Sequence, residues 1–131
     1  MPATQIDIRM QYSAAEEQQL MNTVFDALQQ SFKLPRYDRN IRLQVHAPTH
    51  FQVFDHLTQP ERFTHITIDC FSGRTLETKR KLYQQLVKNL VVFGIPEDHI
   101  WITLRESPLE NWGIRGGQAA CDVDLGFKVD V

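Results

Sequence analysis

The sequence predicts an α/β (α+β) protein in which a tandem βαβ repeat forms a four-stranded sheet with two helices on one face. Three observations carry this. Residues 3–9 and 63–71 both alternate polar and apolar side chains, as half-buried strands do. Each is followed by a polar turn and a long amphipathic stretch, and then by a second strand, Ile41–Val45 in one half and Ile100–Leu104 in the other. The two halves are offset by roughly sixty residues, a period whose two copies are too few for a solenoid.

In the first half, Ala3-Thr4-Gln5-Ile6-Asp7-Ile8 opens the sheet, and Ser13 before Ala14-Ala15-Glu16 has the form of a capping box. The helix behind it places Leu20, Val24, Ala27, Leu28 and Phe32 on one face and stops at Lys33-Leu34-Pro35. The stretch from Ala47 to Arg62, with Pro48 and Pro60, reads as the connection between the halves. In the second half, Thr75 caps a helix whose apolar face holds Leu82, Leu86, Leu90 and Phe93, and Gly94-Ile95-Pro96 ends it. A crossover helix makes the two strands of each half parallel. Gly113-Ile114-Arg115-Gly116-Gly117 is a hairpin signal, and Val123, Leu125, Phe127, Val129 and Val131 alternate like a late strand. The expected organisation is one domain over residues 1–131, with βαβ halves at about 1–48 and 62–118 and a C-terminal strand at 121–131. The sheet face without helices is expected to be a large apolar patch that needs a partner subunit, and the C-terminal strand is expected to pair with a neighbouring chain.

Composition narrows the function classes. At 131 residues the chain is long enough for one real core. Apolar and charged shares of 42% and 23% are those of a soluble globular protein. A net charge of -2 and the lack of a long Lys/Arg run argue against a nucleic-acid partner. No apolar stretch is long enough to cross a bilayer, and no signal-peptide pattern is visible, so a cytoplasmic location is expected. Cys70 and Cys121 have neither metal-ligand nor disulfide spacing and are expected to be reduced and buried. With the histidines scattered, no metal site is expected, and with no glycine-rich phosphate loop, no nucleotide site.

The chemistry-bearing candidates begin with Pro2. Methionine is trimmed when the next residue is small or proline, which would leave Pro2 as a secondary amine at the chain start. An ordinary α-amine titrates at about 7.7–8.0, and burial beside cations lowers that further. Such a group is a general base at neutral pH; the alternative is a chain start that merely tolerates proline. Ser72-Gly73-Arg74-Thr75 lies between a strand and a helix start, where backbone N–H groups favour an anion. Arg74 there either clamps a carboxylate through two parallel hydrogen bonds or is a solvated charge. Strand parity points Arg42 with Gln44 away from the apolar face, either into solvent at a subunit surface or into a pocket between subunits. Asp38 either holds a water or tunes a nearby amine, or is a turn residue capping the start of the strand. Trp112 is either an apolar wall at the reacting centre or a core aromatic.

Taken together, Ile66-Thr67-Ile68, the Gly73-Arg74-Thr75 turn and Asn111-Trp112-Gly113-Ile114-Arg115-Gly116-Gly117 resemble the 4-oxalocrotonate tautomerase family. That family shows a strand, a Gly-Arg-Ser/Thr turn, a helix, a strand, then an aromatic followed by Gly-Ile-x-Gly-Gly. The two-unit length is similar to malonate semialdehyde decarboxylase and related tautomerase-like proteins, and the resemblance covers nearly the whole chain. It implies a homotrimer of double βαβ subunits, with no metal or organic cofactor, in which Pro2 is the catalytic amine. It further implies carboxylate binding by Arg74 and Arg42, a Trp112 wall beside the proline, and an acidic Asp38 near it. Ser72 stands where the decarboxylase pattern has the first of two turn arginines and is expected to contact substrate. The first half has Gln11-Tyr12-Ser13 in place of the Gly-Arg turn, so one complete site per subunit is expected. The expected function is tautomerisation of a small carboxylate or 2-keto acid, with decarboxylation of a 3-oxo acid and a non-catalytic trimeric binding protein as rivals.

Overall fold

A computed structural model describes residues 1–127 of the chain. The sheet contains β1 (Ala3–Ile8), β2 (Ile41–Val45), β3 (Thr64–Phe71) and β4 (Ile100–Ser107), in the order β2-β1-β3-β4. β1 pairs parallel with β2, and β3 parallel with β4, as crossover helices require. The two halves join where β1 runs antiparallel to β3, with Ile6 opposite Ile66 and Ala3 opposite Asp69.

The helices α1 (Ala14–Phe32) and α2 (Leu76–Phe93) supply the crossovers. Ser13 forms the expected capping box with Glu16, and Thr75 accepts from the Thr78 N–H. Both helices end on a residue of positive φ, Lys33 at 54° and Gly94 at 122°. Removing the first cap by Ser13→Ala is expected to cost about 1 kcal/mol, read by denaturant unfolding at fixed protein concentration. Leu20, Val24, Leu28 and Phe32 of α1 meet Leu82, Leu86 and Leu90 of α2 over Ile6, Ile8, Ile66 and Ile68 of the sheet. Each fully buried side chain of this size contributes about 1.5–3 kcal/mol from burial. Phe93, expected in the core, is only partly buried against it. The connection between the halves is pinned by His99, which is fully buried. Its Nε2 accepts from the Gln59 N–H at 3.0 Å, and its Nδ1 lies 2.7 Å from Asp98.

Three expectations are corrected. The face opposite the helices is not an apolar patch. It carries Gln5 and Asp7, Arg42 and Gln44, His65, Thr67 and Asp69, and Thr103 and Arg105, with Trp101 as its large apolar member. Polar ladders bridge it: Arg105 grips Asp69, Arg42 donates to Gln5 at 3.3 Å, and His46 sits 2.6 Å from Asp7. The strand expected over 121–131 is not formed in its described part. β5 (Gly113–Ile114) and β6 (Gln118–Ala119) make the expected hairpin, but Ala120–Asp122 is a 3-10 turn, and residues 123–127 run without strand pairing. Alternation sets which side chains share a face, but a strand forms only where the backbone finds a ladder partner, and the described part of this segment pairs with neither open edge of the sheet, β2 or β4. Val129 and Val131 lie outside the described residues. Cys70 is buried as expected, whereas Cys121 is exposed, because it lies on that surface turn. Among the described residues no helix is long and apolar enough to cross a membrane.

Candidate active site

The β1–β3 pairing decides where the chemistry gathers. Because β1 is antiparallel to β3, the chain start lies beside the end of β3, where Cys70, Phe71 and the Ser72–Thr75 turn follow. Because β1 is parallel to β2, the residues leading into β2 lie beside Pro2; Thr4 pairs with Ile41, and its N–H donates to the Asn40 carbonyl at 3.0 Å. β4 ends opposite Phe71 and leads to Trp112. A cavity of about 420 Å³ opens at this end of the sheet, between Met1-Pro2, the Tyr37–Asn40 segment and Trp112-Gly113-Ile114.

The terminal amine is carried here by Met1, and Pro2 behind it is buried. The Met1 nitrogen lies 3.5 Å from Asp38 Oδ2. Asp38 is 8% exposed and sits in a turn closed by its N–H on the Pro35 carbonyl at 3.0 Å, so it is both a turn residue and a partner of the amine. Burial lowers the amine from 8.0 to about 6; Asp38 opposes that shift, and the Arg74 charge adds to it. The amine is therefore largely neutral at pH 7. Between pH 8.0 and about 6 the unfolded chain holds this proton while the folded chain does not, so stability contributed here is lost as pH falls through that window. In the chain bearing Met1, an NMR titration of the isotopically methylated amine is expected to give a midpoint of about 6 rather than 8.0.

Arg74 is 5% exposed, which removes the solvated-charge reading. Its guanidinium stacks 3.9 Å from the centre of the Phe32 ring at the end of α1. Nη1 donates to the Phe71 carbonyl at 3.3 Å. Its other edge, Nε and Nη2, is buried without a hydrogen-bond partner among the described residues. That edge is the one that grips a carboxylate side-on. Arg105 shows the geometry in the same molecule, with Nε and Nη2 at 2.8 and 2.9 Å from the two oxygens of Asp69. Burial pulls the Arg74 pKa down, opposed by the Cys70 thiol, Glu106 and Asp38. Cys70 is in turn pushed up by burial.

Trp112 lines the cavity and meets Phe71 edge-on at 4.9 Å, with its Nε1–H held by Ser107 Oγ at 2.8 Å. Two sequence candidates are not brought together with these groups. Arg42 is exposed on the polar sheet face beside Gln5, and the Ser72 side chain is exposed while its backbone N–H bonds the Ser107 carbonyl at 2.9 Å. Arg39, next to Asp38, turns away to stack 4.0 Å from the Phe25 ring centre and to donate to Asn22. Sequence reasoning missed Tyr37 and Asn40 as cavity residues, and Cys70 as a neighbour of Arg74. Only their closeness to Asp38 and to the Gly73-Arg74 turn could have signalled them.

A family described as tautomerase enzymes matches residues 38–115 of the chain. Among solved structures, the chain is similar to a protein designated Pt0534, inactivated by 2-oxo-3-pentynoate, at 26% identity and a TM-score of 0.82, covering 92% of this chain and 97% of that one. It is similar in fold to malonate semialdehyde decarboxylase, a protein with decarboxylase and hydratase activities, at 22% identity and a TM-score of 0.81, covering 93% and 99%. It is likewise similar in fold to a fused 4-OT seen as a symmetric trimer, at 22% identity and a TM-score of 0.78, covering 91% and 96%.

Proposed function

The chain belongs to the family of tautomerase enzymes, and from that premise we propose that it catalyses keto–enol tautomerisation of a small carboxylate or 2-keto acid, with Pro2 as the base once Met1 is removed. The observation that carries this reading is the buried Nε/Nη2 edge of Arg74, which has no oxygen acceptor, has the weakly accepting Cys70 thiol near its guanidinium, and lies within electrostatic reach of the terminal amine and Asp38. Two donors held without a partner in a low-dielectric site are costly, and a substrate carboxylate would satisfy both.

In this mechanism the carboxylate docks side-on against Arg74. The neutral Pro2 nitrogen takes a proton from the carbon α to the carbonyl and returns it at the other end of the enol. Arg74 stabilises the negative charge that develops on the enolate, and the same positive charge adds to burial in favouring the neutral amine. Asp38 orients the ammonium while it holds the transferred proton. Trp112 excludes water from one side of the cavity and keeps the local dielectric low. No step calls for a metal or an organic cofactor.

A homotrimer is part of this proposal, supported by the trimeric assembly of the fused 4-OT relative. Its contacts would have to accommodate a polar sheet face. In such an assembly Arg42, and Ser72 at its exposed turn, would serve a cavity completed by a neighbouring subunit. Light scattering is expected to give three times the chain mass, and a well-folded monomer would contradict it.

A second reading has its own support. Asp38 at 3.5 Å from the amine favours the protonated form, and a protonated Pro2 would polarise the carbonyl of a 3-oxo acid so that carbon dioxide leaves. The pH–rate profile separates the two. Catalysis by neutral Pro2 rises with pH through the amine pKa, and catalysis by protonated Pro2 falls through it. Enol–keto exchange that declines as the amine is deprotonated would overturn the base mechanism.

A further inference from the structure

We infer that the substrate carries an unbranched apolar tail, and that the slot for this tail is the space Met1 fills. The inference rests on Pro2 being the catalytic amine. Met1 spans two environments. Its nitrogen faces the polar end of the cavity at Asp38, while its side chain, 28% exposed, packs against a small apolar cluster separate from the main core. That cluster is built on Phe71, Ala120 and Leu125, with Trp112 and Ile114 packed against it. Removing Met1 therefore empties a polar position and an apolar one together, and leaves the Pro2 nitrogen at their junction.

The slot is built rather than incidental. Phe71 has no exposed surface and Leu125 is 8% exposed, so both hold fixed positions. The Trp112 ring is fixed by its hydrogen bond to Ser107 and its edge-on contact with Phe71. Trp112 and Ile114 also line the 420 Å³ cavity, so the slot and the cavity are one continuous space. A methionine side chain is unbranched with three rotatable bonds, so its vacated volume is long and narrow. An acid with a short straight alkyl tail matches it, with the carboxylate directed past the amine toward the Arg74 charge and away from Asp38. Pyruvate would leave the slot empty, and a bulky branched acid would not enter it.

The test is direct binding, by calorimetry, of the straight-chain carboxylates from acetate to octanoate to protein lacking Met1. Affinity is expected to rise about fourfold per methylene up to hexanoate, whose tail carbons match the methionine Cα and side chain atom for atom, and to stop rising beyond it. Protein that retains Met1, made with methionine aminopeptidase inhibited, is expected to bind none of the series. Ile114→Trp, which fills the slot, is expected to cost hexanoate about tenfold or more and to flatten the series. A flat series in the trimmed protein, or equal hexanoate binding by the Met1-bearing form, overturns the slot. The outcomes separate from those of the catalytic reading. Graded binding with exchange that survives Pro2→Ala retains the slot and removes the mechanism, whereas a flat series with exchange abolished by Pro2→Ala does the reverse.

Discussion

Pro2→Ala is expected to lower enol–keto exchange of small 2-keto acids by about a hundredfold or more, within the range a positioned general base contributes. Methionine is trimmed before alanine too, so the variant still presents an amine at the chain start. What it loses is the ring. Proline holds its nitrogen in a fixed direction within a buried position, while an alanine amine rotates and hydrates freely. The fold should hardly notice, because β1 begins at Ala3 and Pro2 contributes no backbone donor. Thermal unfolding close to that of the parent, together with the lost rate, is the expected pair of results. Unchanged exchange would sink the mechanism and leave a non-catalytic binding protein as the better account.

Arg74→Met is expected to separate activity from stability. The substitution removes a two-point, charge-assisted grip on the substrate, and kcat/KM for a carboxylate substrate should fall about a hundredfold. Stability should stay level or rise by about 1 kcal/mol. Arg74 is buried with one guanidinium edge unpaired, and an apolar residue of similar length removes that desolvation cost. The loss of its stacking on Phe32 works in the other direction and limits the gain. Arg74→Lys keeps the charge but not the planar fork, so its kcat/KM should lie between those of the parent and Arg74→Met. A large fall in the unfolding midpoint for Arg74→Met would mean that the residue is structural and that the free edge is not reserved for a ligand.

The unpaired edge also explains why the site was only partly legible beforehand. Gly73-Arg74-Thr75 is visible in the sequence as a turn leading into a capped helix, but a turn arginine is most often solvated. Its bond to the Phe71 carbonyl is local, but its burial also needs Phe32, which lies on α1 and meets Arg74 only when that helix packs on the sheet. Arg42 illustrates the converse. Strand parity correctly set it on the face away from the helices, yet parity is silent on whether that face meets solvent, a ligand or another subunit. The character of that face was itself misjudged, although Gln5, Asp7, Gln44, Thr67 and Asp69 alternate in plain view. The alternation that marks the strands also lists what their outer face exposes.

By itself, the sequence determined the elements of this protein, because the signals for them are local. Alternation over a few residues defined the four main strands, Ser13 with Glu16 and Thr75 defined the helix starts, and Lys33 and Gly94 mark their ends. The repeat then dictated two parallel βαβ units. Tertiary structure alone decided the candidate site. Met1, Pro2, Asp38, Arg74 and Trp112 are far apart in the chain, and they converge because β1 pairs antiparallel with β3 and parallel with β2. Strand pairing between distant segments is settled by burying both apolar faces under the two helices, a global balance that no short stretch encodes. That pairing sets the chain start near the second half's turn, where burial shifts its amine and the buried Arg74 guanidinium keeps one edge unpaired among the described residues.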